Sequence, residues 1–114
     1  MSDEVLTAVL CSLAGVRTGD RVAHVGAGRL VGLALLAMSR TLELVDRDAA
    51  VVVAGAAYEV PTAVTLLAPG GRLVAVAADA AAARRTAAVH RLDLRHVERV
   101  GPRVAWSAVR PPAP

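Results

Sequence analysis

Two periods of apolar residues take turns along this chain. Val5, Leu6, Val9, Leu10 and Leu13 recur three and four apart, the spacing of one helix face. Ser2 can cap that helix, Asp3 and Glu4 suit its positive N-terminal end, and Gly15 suits a left-handed cap at its C-terminus. "RTGD" (17–20) reads as a turn and "RVAHV" (21–25) as a strand. A second turn spans Gly26 to Gly28, and a helix is expected from Leu30 to about Arg40. That helix is apolar nearly all round, so it needs cover from a neighbour. "TLELVDRDA" (41–49) fits neither period, whereas "AVVVAG" (50–55) is a continuous apolar run suited to a strand buried on both faces.

Further on, Pro61 can start a short helix reaching about Leu67, "APGG" (68–71) reads as a turn, and "RLVAVAA" (72–78) as another buried strand. Ala80 to about His90 is helical, and "RHVERV" and "RVAWSAV" form an antiparallel hairpin around Gly101-Pro102. Strands alternating with helices predict an α/β fold with a doubly wound, mostly parallel sheet and an antiparallel C-terminal strand. No repeat or linker divides the chain, so residues 1–110 are expected to form one domain, with 111–114 a Pro-rich tail.

Composition narrows the core chemistry. With 114 residues, 55% hydrophobic but only 2% aromatic, Tyr58 and Trp106 being the two aromatics, the interior must be built from Ala, Val and Leu. All 13 basic residues are Arg, and the net charge is +3. Nucleic-acid binding is not the reading of that charge: two aromatics cannot supply a row of stacking platforms, and Asp93 and Glu98 interrupt the Arg84–Arg103 cluster. Cys11 is the sole cysteine, which excludes an internal disulfide. The N-terminus lacks the positive start of a signal peptide. The longest apolar run, Leu30 to Ser39, falls short of the about 20 residues a membrane helix needs. A cytoplasmic protein without membrane or nucleic-acid partners is expected.

Candidate chemistry gathers where strands end. Gly26, Ala27 and Gly28 stand between a strand and a helix N-terminus, where backbone N–H groups face a polar ligand. His24 lies near the carboxyl end of its strand, where open α/β sheets bind ligands; it suits a general acid or base, or a histidine bonded to a neighbouring turn. Tyr58 and Glu59 follow the next strand. Tyr58 is too scarce a residue type to be wasted on solvent, so a ligand contact or a packed ring is expected; Glu59 suits a base or a solvated carboxylate. No His, Cys or Asp spacing matches a metal site.

These segments resemble the class I S-adenosylmethionine-dependent methyltransferases over residues 15–110. "GDRVAHVGAGRLVGLAL" is similar to that family's first motif, "LLAPGGRLVAV" to its late Pro-Gly-Gly element, and "RHVERVGPRVAWSAVRP" to its sixth strand and antiparallel seventh. The resemblance implies that S-adenosylmethionine binds at Gly26, Ala27 and Gly28, and that Asp46 stands at the position of the carboxylate that holds the ribose hydroxyls. It also places Tyr58 and Glu59 on the loop where methyl donor and acceptor meet.

The departures are specific. His24 replaces the motif's acid and Leu30 its third glycine, and too few residues separate Gly28 from Val51 to hold the family's second and third strands. A parallel strand ending at Asp46 could not reach Ala50 in four residues, because a parallel crossover takes about a dozen or more. Asp46 is therefore expected in a loop, or in a segment pairing with another chain. Deletion of these strands is expected to leave strand 21–25 at the sheet edge and the apolar helix uncovered, favouring a homodimer or a hetero-oligomer with a larger enzyme. Three functions follow: a small methyltransferase-like protein acting on a small organic molecule in specialised metabolism, with His24, Tyr58 or Glu59 catalytic; a cofactor-independent cyclase or isomerase on the same fold; or a non-catalytic partner subunit.

Overall fold

A computed structural model describes residues 3–15, 20–25, 43–55 and 57–112. In chain order these form α1 (Asp3–Ala14), β1 (Arg21–Val25), β2 (Glu43–Leu44), β3 (Ala49–Ala54), a 3-10 turn (Ala57–Glu59), α2 (Val60–Leu66), β4 (Leu67–Ala77), α3 (Ala80–Val89), β5 (Asp93–Val100) and β6 (Arg103–Val109). The six strands make one sheet in the order β2-β1-β3-β4-β6-β5. β2, β1, β3 and β4 run parallel, and β6 lies antiparallel between β4 and β5. The Gly26–Gly28 turn and the helix expected from Leu30 lie outside the described residues.

Strand alternation builds a core on each side of the sheet. In β3, Val52 and Ala54 join one cluster, with Val60 and Ala63 of α2 and Ala83 and Ala87 of α3. Val51 and Val53 join the other, with Leu10 and Ala14 of α1. The run "AVVVA" is thus unbroken in sequence because both of its faces are covered. Trp106 of β6, 1% exposed, fills the α2/α3 side, where alanines on α3 leave room for the indole. Its Nε1 has no hydrogen-bond partner among the described residues.

Element ends follow local chemistry. Asp79 caps α3 by accepting from the Ala82 N–H (2.8 Å). Gly15 ends α1 at φ +56°, and the Arg72 guanidinium donates to the Ala14 carbonyl (3.1 Å) and more distantly to that of Leu13 (3.5 Å). The expected turn at 68–71 is instead an irregularity within β4. Ala49 and Val51 pair with Leu67 and Arg72, so the intervening residues of β4 loop outward. The displaced backbone is held from the other side: Gly70 N–H donates to the Arg110 carbonyl (2.9 Å), and Arg110 N–H to that of Gly71 (2.8 Å). A Cβ on Gly71 would stand 2.8 Å from the Ala49 and Ala68 oxygens, so this position requires glycine.

The sheet edge differs from expectation. β1 is not an edge strand: β2 pairs with it in parallel, Arg21 opposite Glu43 and Val22 opposite Leu44, and Val45 N–H donates to the Val22 carbonyl (2.8 Å). The segment therefore pairs within its own chain. The long-crossover rule assumes strands of ordinary length; a two-residue strand leaves almost no length to travel back. An exposed bend, with Asp48 at φ +48°, joins it to β3. The edges are β2 and β5, so an exposed β1 no longer argues for dimerisation.

Candidate functional site

The parallel strands β1 and β3 end side by side, Val25 opposite Ala54, and β4 runs on to Ala77. Ala54, Gly55, Ala77 and Ala78 border this end of the sheet, so small side chains surround the place where open α/β sheets hold ligands. Gly26, Ala27 and Gly28 follow Val25 and lie outside the described residues.

Glu59 is the best-defined polar group here. It is 5% exposed, and its Oε1 accepts from the Gly55 N–H at 3.1 Å. Gly55 is the first residue beyond β3, where the chain leaves the ladder and its N–H needs another acceptor. Of the two expectations for Glu59, a base or a solvated carboxylate, the solvated one is not observed: the carboxylate is buried and clasps the chain back to Gly55. Nothing in the sequence pattern announces this beyond an acid four residues after Gly55.

Tyr58 does the opposite. Its side chain is 82% exposed, so of the two expectations, a ligand contact or a packed ring, the packed ring is not the one observed. The 3-10 turn presents its successive residues in different directions; Glu59 takes the inward one and Tyr58 the outward one.

His24 is half-buried and opposite Val53 of β3. Alternation along β1 places it on the side of Val22, the face covered by α1, while Tyr58 and Glu59 lead into α2 on the other face. The three candidate catalytic residues share one end of the sheet but not one face. Sequence spacing could not reveal this, because the face of each residue depends on the strand that carries it.

Asp46 is exposed in the bend after β2. β2 ends level with Val22, three residues short of the end of β1 at Val25, so Asp46 leaves the sheet before its C-terminal rim. The loop alternative for Asp46 is the one observed. Among the described residues, no three His, Cys, Asp or Glu side chains group as a metal site, and no helix is long and apolar enough to cross a membrane.

No protein-family model and no curated protein matches the chain. Solved structures do. An S-adenosylmethionine-dependent O-methyltransferase from Thermotoga maritima aligns with TM-score 0.64 at 12% identity, over 96% of this chain and 66% of that one. A complex of the Haloferax volcanii Trm112 methyltransferase activator with a methyltransferase aligns with TM-score 0.71 at 10% identity, over 94% and 89%. An O-methyltransferase family protein from Burkholderia thailandensis aligns with TM-score 0.71 at 13% identity, over 98% and 57%. The chain thus has a class I methyltransferase-like fold, and it spans about two thirds or less of the two O-methyltransferase chains.

Proposed function

We propose that this chain is a minimal methyltransferase-like protein of the cytoplasm that holds S-adenosylmethionine at the carboxyl ends of β1 and β3 and acts on a small organic molecule in specialised metabolism. The observation that carries the reading is the sheet order, with parallel β1, β3 and β4 followed by an inserted antiparallel β6. The small residues at the ends of β3 and β4, and the loop clasped by Glu59, fit a nucleoside-type cofactor on that side. The β2 side fits it less closely, since Asp46 stands in an exposed bend short of the rim; we assign it the ribose hydroxyls by way of that bend.

When bound, the cofactor supplies an electrophilic methyl group. The chain's own residues have separate roles. The backbone of Gly26, Ala27 and Gly28 binds the polar end of the cofactor. Glu59 holds the chain between Gly55 and the 3-10 turn in shape, exposed Tyr58 meets the acceptor, and His24, at the same rim on the α1 side, takes up the proton that the acceptor releases on methylation. Calorimetric titration with S-adenosylmethionine and S-adenosylhomocysteine tests this. A dissociation constant of about micromolar order, roughly −8 kcal/mol, is expected. Absence of binding at millimolar concentration overturns it and moves the weight to cofactor-independent cyclisation or isomerisation.

One observation favours a second reading, a partner subunit of a larger enzyme. The sheet closes at β2 with only two residues, and Tyr58 stands exposed where β3 leads into α2. Co-expression that raises solubility and yields a stable complex supports it; a well-behaved monomer that binds the cofactor alone refutes it.

A further inference from the structure

A groove lies at the opposite end of the sheet from the proposed cofactor rim. It has a volume of about 620 Å³ and is lined by Ser12, Leu13, Arg72, Arg95, His96 and Val109. That is the size of a small-molecule site, and among the described residues that line it there is no carboxylate, Asp93 standing at its rim. Its walls are the last turn of α1 and the ends of β4, β5 and β6 where Arg72 and Asp93 both pair with Val109.

The arrangement of the cationic side chains depends on a defect in β5. Leu94 pairs with Ala108 and His96 with Ser107, so Arg95 is an extra residue, a β-bulge. Successive residues of a regular strand point to opposite faces. With the bulge, Arg95 and His96 both line the groove on the α1 side. Asp93 holds Arg95 at the rim through an Nη2–Oδ2 contact of 2.9 Å. Arg72 rises from the floor and is oriented by the α1 carbonyls, offsetting the negative end of that helix. Leu13 and Val109 supply apolar surface beside them.

We infer that this groove binds a small organic oxyanion, its carboxylate or phosphate head between Arg72 and Arg95 and its apolar body on Leu13 and Val109. Paired guanidinium groups match the geometry of such heads, and the site stands apart from His24, Tyr58 and Glu59. The test is a titration of the full chain with phenyl phosphate, with benzoate and with neutral benzyl alcohol, followed by amide chemical shifts. Saturable binding of one or both anions is expected, with shifts at residues 12–13, 72 and 95–96. Stronger binding of phenyl phosphate assigns a phosphate head; stronger binding of benzoate assigns a carboxylate. Arg95→Ala is expected to weaken binding about tenfold, and Arg84→Ala, on exposed α3, to leave it unchanged. Both variants alter exposed side chains, so both are expected to fold. Added S-adenosylhomocysteine is expected not to compete. The inference fails if neither anion saturates, if benzyl alcohol binds as well, if Arg84→Ala weakens binding as much as Arg95→Ala, or if S-adenosylhomocysteine displaces the anion.

Discussion

Glu59→Ala is the perturbation with the clearest magnitude. The carboxylate is 5% exposed and accepts the Gly55 N–H at 3.1 Å. A hydrogen bond to a charged acceptor contributes about 1.5–3 kcal/mol, and a buried donor left without a partner costs about 1–3 kcal/mol. Gly55 is only half-buried, so water reaches part of the site and the lower half of that range applies, about 1.5 kcal/mol. With a urea slope of about 1.5 kcal/mol/M for a small domain, the unfolding midpoint falls by about 1 M. Glu59→Gln keeps an acceptor oxygen at the same reach, so its midpoint is expected to move by less than half as much. Hydrogen exchange locates the effect: the Gly55 amide loses protection in Glu59→Ala and retains most of it in Glu59→Gln. Unchanged stability and Gly55 protection in Glu59→Ala would refute the clasp. Equal losses in the two variants would show that the charge, and not the acceptor geometry, holds the loop.

Three other outcomes are expected. Trp106→Ala should lose about 3–5 kcal/mol as a core truncation. Trp106→Phe should lose under about 2 kcal/mol, because it also removes an N–H that lacks a partner among the described residues; equal losses by thermal unfolding would mean that this N–H is satisfied. Gly15→Ala should destabilise by about 1 kcal/mol or more, because φ is +56° and the added carbon meets the Arg72 guanidinium; an unchanged melting temperature would remove the cap argument. Burial raises the Cys11 thiol above its ordinary range, so folding favours the protonated form. Its contribution to stability is full below the unfolded-state pKa and is lost as pH rises through the folded one. Alkylation should therefore be slower in the folded chain than in urea at the same alkaline pH; equal rates would contradict the burial.

Much of the architecture was legible in the residue pattern. The unbroken "AVVVA" run required a strand covered on both faces, and Gly101-Pro102 required a break between two strands; both are local consequences of side-chain type and backbone freedom. The Pro-Gly-Gly segment signalled irregular backbone, although that backbone lies inside β4, because the Arg110 hydrogen bonds that keep it in the sheet come from 40 residues away in sequence, at Gly70. β2 was illegible because two residues carry no period, and its pairing depends on β1 alone.

The candidate site divides the same way. Sequence by itself determined which residues stand at strand ends: His24 in β1, and Tyr58 and Glu59 after β3. Tertiary structure alone decided which way they face. Glu59 turns inward because Gly55 leaves the ladder beside it, Tyr58 turns outward in consequence, and β1 puts His24 on the α1 side. It also decided that Arg72, Arg95 and His96 meet across 24 residues of sequence. A residue's type and spacing are local properties, whereas its face and neighbours depend on strand order and register, which arise only when distant segments pair.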